Sequence, residues 1–266
     1  MTKRILILNG SPKQNGGTSR FISKLIGVQL AGSHVEYASL RQKSAHADIV
    51  RRLSDIDVLV IASPLYVDGI PSHVIEFLQA AEEFCTHNAC RFTVYAVSNN
   101  GFIEGSHNKS HLKMYECWCR RTGAVWGGGL GIGGGEMFHC LAVYYPIAFA
   151  VLIAVNIVKY AAGAVPALSD WRPLAQNIII YLFFNCGVFY CTARLAAHIR
   201  KLRPAKNRFT RVMVPAFLFI PMADIFMILT SLFHGKNIFT LLKKDEYCGE
   251  KKGSGADKVQ ESVLSR

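Results

Sequence analysis

The stretch Ile5–Leu25, "ILILNGSPKQNGGTSRFISKL", carries the reading of the fold. A short apolar run breaks at Asn9 into small, polar and glycine residues, and from Thr18 the apolar residues return at helical spacing. An apolar run ended by Gly-Ser-Pro reads as a buried strand, and the segment after the loop as an amphipathic helix. A loop that leads straight into a helix N-terminus offers free backbone N–H groups and the positive end of the helix dipole. Gly10, Gly16 and Gly17 let the backbone approach a ligand, Ser11, Thr18 and Ser19 add hydroxyls, and Lys13 adds a charge. Those are the parts of a phosphate cradle. The spacing fits neither a Walker A loop nor a G-x-G-x-x-G dinucleotide turn. Taken alone, the loop also reads as a polar connection with Thr18 as helix N-cap.

Outward from this stretch, strand and helix patterns alternate. "HVEYASL" (34–40), "DVLVIASP" (57–64), "RFTVYAVSNN" (91–100) and "AVWGGGLGI" (124–132) read as further strands. "AHADIVRRLSDI" (45–56), "PSHVIEFLQAAEEF" (71–84) and "HLKMYECWCRRTG" (111–123) read as helices between them. This alternation predicts an α/β domain over residues 1–137, with a parallel sheet covered by helices on both faces. Two more loops leave the same edge of that sheet. "SPLYVDGIPS" (63–72) presents Tyr66 in a rigid Pro/Gly frame, and "SNNGFIEGS" (98–106) presents Asn99, Asn100 and backbone amides. A phosphate cradle beside an aromatic-flanked slot describes a site for a planar, mononucleotide-like cofactor.

Composition shifts after "GGGEM" (133–137). "CLAVYYPIAFAVLIAVNIV" (140–158) and "PLAQNIIIYLFFNCGVFYCTA" (173–193) contain no charged residue. Each is long enough to cross about 30 Å of hydrocarbon as a helix. Core helices of soluble domains keep a polar stripe, and these do not. Residues 138–247 therefore read as an apolar helical region with membrane spans over 138–160 and 173–197. A third apolar segment, 212–235, carries Pro215, Pro221 and Asp224, and fits a span or an interfacial helix pair. Residues 248–266 read as a disordered polar tail.

The 266-residue chain is 51% hydrophobic with a formal net charge of +12. The charge concentrates beside the apolar runs: "RKLRPAKNRFTR" (200–211) holds six basic residues and no acid. Membrane topology and anionic lipid account for that distribution, so nucleic acid is not an expected partner. By the positive-inside rule this segment is cytoplasmic and the turn near 161–172 lies outside. The chain is thus expected in the cell membrane with its α/β domain facing the cytoplasm. The apolar run Ile5–Leu8 is too short for a signal peptide. The eight cysteines form no C-x-x-C pair and read as reduced thiols, with no metal site.

"ILNGSPKQNGGTS" (7–19), "VLVIASPLYVDGIPS" (58–72) and "GGGEM" together resemble the flavodoxin-like NAD(P)H-dependent FMN reductases, a family that includes the iron–sulfur flavoproteins. The resemblance covers about residues 3–137. It implies a doubly wound, five-stranded parallel sheet in the order 2-1-3-4-5 that binds FMN. Ser11, Lys13, Asn15, Thr18 and Ser19 would surround the phosphate. Pro64, Leu65, Tyr66 and Val67 would line the isoalloxazine, and Asn99 and Gly101 would complete the ring pocket. The compact cysteine cluster of the iron–sulfur subgroup is missing from "RQKSAHADIV" (41–50), so no cluster is expected. The implied activity is hydride transfer from NAD(P)H to FMN and onward to a small-molecule acceptor. Apolar spans beside the site make a quinone a fitting acceptor. A tethered electron carrier or a non-catalytic interaction module, neither using NAD(P)H, is the alternative. The flavin carries such chemistry, so no side chain is assigned as catalytic. His73 and His107 read as capping or solvent-facing residues, Asp68 as turn chemistry, and Trp118 and Trp126 as core. Because soluble relatives commonly dimerise across the flavin site, the resemblance also leaves a homodimer open.

Overall fold

Six strands line up in parallel in the order β2-β1-β3-β4-β5-β6. The computed structural model describes residues 3–14, 17–66, 69–88, 90–165, 167–233 and 235. The strands are β1 (Arg4–Asn9), β2 (His34–Ser39), β3 (Val58–Pro64), β4 (Thr93–Asn99), β5 (Val125–Gly133) and β6 (Arg208–Arg211). The helices are α1 (Thr18–Gln29), α2 (His46–Arg51), α3 (Ser72–Asn88), α4 (Lys109–Thr122), α5 (Gly135–Ala161), α6 (Leu168–Lys201) and α7 (Ala216–Phe233). Strand order reverses between β1 and β3, which is where ligands bind in open parallel sheets.

Alternation along each strand divides the core into two layers. Leu6, Leu8, Leu59 and Ile61 face α2, α3 and α4, packing with Ile49, Leu53, Phe77 and Tyr115. Their neighbours Ile5, Ile7, Val58 and Val60 are equally buried, and α1 packs on β1 and β3 through Ile22 and Ile26. The strands buried on both faces are the ones whose sequence reads as an unbroken apolar run.

The resemblance implied five strands, and the sheet has six among the described residues. β6 comes from the basic segment 200–211, which the sequence presents only as a loop, and pairs from Arg208 against Leu130 to Arg211 against Gly133. The glycines of β5 make room for this. A bulge at Gly127–Gly128 frees the Gly127 carbonyl, which accepts a hydrogen bond from the Ala205 N–H at 2.7 Å. At Gly133 a Cβ would lie 2.4 Å from the Ile103 carbonyl oxygen and 2.5 Å from the Gly105 nitrogen. A run that looks like a weak strand is thus a strand with backbone packed against it.

The chain parts into two compact units, Met1–Pro215 and Ala216–Arg266, whereas composition alone suggested a boundary at 137/138. α5 leaves β5 directly, and the second half of α6 returns to pack on α1, β5 and β6 through buried Val188, Thr192, Leu195 and Ile199. α6 therefore serves both regions. Its first half and most of α5 are apolar and exposed, with Tyr144, Ile147, Val151, Ile179 and Phe183 uncovered. Among the described residues these two helices are long and apolar enough to cross a membrane. At their connection Lys159 pairs with Asp170 at 2.7 Å. In the second unit α7 is one apolar helix that contains Pro221 and Asp224. Residues 248–266 lie outside the described residues.

Candidate functional site

The β1–α1 loop is folded by its own side chains. The Ser11 N–H donates to Asn9 Oδ1 at 3.1 Å, and Ser11 Oγ accepts the Lys13 N–H at 3.3 Å. Gly17 occupies the N-cap of α1 with φ 121°, and a Cβ there would sit 2.8 Å from Ser11 Oγ. Only glycine meets both requirements. Thr18 is the first helical residue and not the cap; no side chain caps this helix. The N–H groups of its first turn therefore have no intrahelical acceptor.

The hydroxyls after Gly17 are engaged inward. Thr18 Oγ1 donates to the Gly135 carbonyl at 3.2 Å, and Ser19 Oγ to Asn99 Oδ1 at 2.8 Å, both buried. They tie α1 to the end of β4 and the start of α5. Lys13 Nζ pairs with Glu136 Oε1 at 2.9 Å, joining the loop to the "GGGEM" segment. Partial burial alone lowers the Lys13 pKa, but the hydrogen bond and charge of Glu136 outweigh it and hold the ammonium above the ordinary lysine value. Asn15 lies outside the described residues.

The second loop is a tight turn. Tyr66 and Gly69 exchange backbone hydrogen bonds of 3.1 and 2.9 Å, and the Leu65 N–H donates to the Asn99 carbonyl at 2.8 Å. Pro64 and Leu65 are buried while the Tyr66 ring is exposed. Val67 and Asp68 lie outside the described residues. His73, in the first turn of α3, donates from Nε2 to the Gly10 carbonyl at 3.0 Å. Partial burial draws its pKa below the ordinary histidine value, against the pull of that hydrogen bond. His73 is therefore a strut between loops. His107 instead packs on Phe102, with ring centroids 5.3 Å apart.

In the third loop Asn99 and Asn100 are buried and Gly101 is exposed with open space around it. Asn100 is held by its backbone, its N–H donating to the Ile132 carbonyl at 3.0 Å and its carbonyl accepting from Gly135 at 2.7 Å. Its side-chain Oδ1 is buried without a donor. The structure thus brings Ser11, Lys13, Thr18, Ser19, Pro64, Leu65, Tyr66, Asn99 and Gly101 to the carboxyl edge of β1, β3 and β4.

Beneath these loops lies a polar network absent from the residues singled out in the sequence. Ser98 Oγ donates to Asn108 Oδ1 at 2.6 Å and lies 2.6 Å from His111 Nδ1, while Ser63 Oγ lies 2.7 Å from the Tyr115 hydroxyl and 3.4 Å from His111 Nε2. With the Ser98 proton committed to Asn108, Nδ1–H of a neutral His111 donates to Ser98 and Nε2 accepts from Ser63. Burial holds the imidazole down to about 4, consistent with that neutral form. The usable signals were a His and a Tyr one helical turn apart, opposite serines that end two apolar strands.

No protein-family model matches the chain, and no curated protein matches it significantly. Among solved structures it is similar to an NAD(P)H:quinone oxidoreductase from Methanothermobacter marburgensis, at 15% identity over 50% of this chain and 85% of that one, with a TM-score of 0.42. It is also similar to the Trp repressor binding protein from Bacillus subtilis, at 17% identity over 49% and 84% of the two chains, TM-score 0.40. An NADH:FMN oxidoreductase in its apo form matches at 12% identity over 68% and 88%, TM-score 0.42. The doubly wound arrangement itself follows from the strand order, with its switch point beside β1.

Proposed function

We propose that this chain is an FMN-dependent oxidoreductase that takes hydride from NAD(P)H and passes electrons to a small, lipid-soluble acceptor of the quinone class. The observation that carries the reading is the uncapped first turn of α1, entered through Gly17 and set beside the Tyr66 and Asn99–Gly101 loops. The residues fit the cofactor. A phosphate monoester needs N–H donors at a helix N-terminus and a nearby cation, and α1 and Lys13 supply both. A planar ring needs a flat wall and polar edges, which the exposed Tyr66 ring and the backbone of Asn99–Gly101 offer. The orphaned Asn100 Oδ1 is an acceptor that a ring N–H suits.

When bound, FMN supplies the hydride-transfer chemistry. The chain's own residues bind and orient. Ser11 and Asn9 hold the loop shape, and Lys13, paired with Glu136, would supply a cation to a bound phosphate. Thr18 and Ser19 lock α1 to the sheet ends so that the first-turn N–H groups stay aimed at the loop. The backbone of Leu65–Tyr66 and Asn99–Gly101 would line the ring edge, and the Ser63–His111–Ser98 network fixes the strand ends at that sheet edge. No side chain is assigned a proton-transfer role.

The acceptor class follows from position. α5 starts at the carboxyl edge of β5, the edge that carries the site loops, so a membrane hairpin of α5 and α6 would hold the site beside the bilayer. The cytoplasmic orientation is supported by charge: Arg194, Arg200, Lys201 and Arg203 flank the sheet end of α6, while Lys159 at the far turn is paired with Asp170. The test is an absorption spectrum of detergent-purified protein before and after anaerobic NADPH. A flavin band that bleaches rapidly, and returns when a quinone is added, supports the reading. A persistent band points to a tethered electron carrier, and no band after soaking with FMN overturns the flavin site.

A further inference from the structure

A groove of 740 Å³ opens between α1 and the edge strand β2. That size suits a small-molecule ligand. Its floor is apolar, made by Ile7, Val28 and Tyr37; its walls carry Arg20, Lys24 and Arg41. Arg20, Lys24 and Val28 stand one turn apart in a row on α1, and Tyr37 and Ser39 share a face of β2. No acid lines the groove, and none of Arg20, Lys24 or Arg41 has an ionic partner among the described residues. Like charges one turn apart on a helix repel, and here no carboxylate offsets them, whereas Lys43 faces Glu76 and Arg52 faces Glu36 on the same domain. An unopposed cationic row over an apolar floor is complementary to a ligand that is flat and apolar at its centre and anionic at its ends.

Tyr37 shapes that floor. Its hydroxyl lies over Gly27 so closely that a Cβ at 27 would meet it at 1.7 Å, and the ring remains half exposed toward the groove. Absence of a side chain at 27 thus lets the hydroxyl end of Tyr37 come down onto α1. Asn9 and Lys13 border the groove, so it is continuous with the β1–α1 loop.

We propose that the groove binds the adenine-nucleotide end of a phosphorylated dinucleotide. The base would lie on Tyr37 and Val28, with two separated phosphates on Arg20, Lys24 and Arg41. Its identification as the hydride donor's end rests on the reductase reading, and it makes the donor NADPH rather than NADH, because three unpaired cations match the extra 2′-phosphate.

The experiment is titration calorimetry of the full chain in detergent with adenosine 2′,5′-bisphosphate, 5′-AMP and inorganic phosphate as probes. The bisphosphate should bind at least about tenfold more tightly than 5′-AMP, as one added charge-assisted phosphate contact gives. Arg20→Gln combined with Lys24→Gln should cut that affinity by about tenfold or more. Gly27→Ala, which improves helix propensity but displaces the Tyr37 ring, should weaken it several-fold while leaving charge intact. FMN content, read from absorbance, should be unchanged in both. Equal binding of bisphosphate and 5′-AMP, or unaltered affinity in both variants, overturns the proposal. So does loss of binding to anionic phospholipid vesicles, with nucleotide binding retained, in the Arg20/Lys24 variant; the row would then read a lipid headgroup. Bisphosphate binding without any flavin would keep the groove and reject the reductase reading, whereas retained flavin without bisphosphate binding would do the reverse.

Discussion

His111 is a buried imidazole with every ring nitrogen occupied, and its neutrality is a stability device. Its folded pKa of about 4 lies below the ordinary value of 6.5, so protonation favours the unfolded chain. The contribution is complete above about pH 6.5 and is lost as pH falls toward 4, by about 3 kcal/mol. Melting temperatures in detergent at pH 7 and pH 4.5 should therefore diverge in the parent, and His111→Gln should be less stable at pH 7 yet show a flatter pH dependence. An equal pH slope in both would reject this role. Lys13 and Glu136 offer a second residue-scale test. Lys13→Gln should weaken FMN binding about tenfold, while Glu136→Gln, which removes a carboxylate competing for Lys13, should tighten it. Flavin fluorescence quenching reads both. Movement of the two in the same direction would remove Lys13 from the phosphate site.

Among the elements, β5 is the one whose composition misleads most. Gly133 has the backbone of residues 103–105 against its absent Cβ, so Gly133→Ala forces that turn to shift and should cost about 1–3 kcal/mol, seen as a lower melting temperature. Gly101→Ala, with nothing within 4 Å, should leave melting unchanged and serves as the contrast. β6 shows the same dependence on partners. "RFTR" has no alternating apolar pattern, and it is a strand only because β5 leaves a bare backbone edge for it. α1 is the opposite case: its loop, start and buried face were all readable from Asn9 to Gln29, because apolar spacing and a glycine break are local signals.

At the scale of the whole chain, α5 and α6 carry long exposed apolar lengths beside the α/β unit. If the hairpin crosses the bilayer with the sheet inside, Ala164→Cys at the far turn should react with a membrane-impermeant maleimide on intact cells. Met114→Cys, exposed on α4, should react only after lysis. Equal labelling of the two before lysis would reject this topology.

By itself the sequence determined what contiguous residues dictate: the strand–loop–helix at 5–25, the strand and helix alternation through β5, the three loops at one sheet edge, and two uncharged runs of membrane length. Each rests on periodicity or on residues with restricted backbone geometry, which act within a few positions. Tertiary structure alone decided the rest. It turned Thr18 and Ser19 inward to Gly135 and Asn99, paired Lys13 with Glu136, and gathered Ser63, Ser98, His111 and Tyr115 beneath the loops. It also made a strand of Arg208–Arg211 and split the work of α6 between the sheet and its apolar hairpin. Those outcomes depend on residues far apart in the chain meeting at contact distance, and no local pattern records which partner a hydroxyl, a charge or a bare strand edge will find.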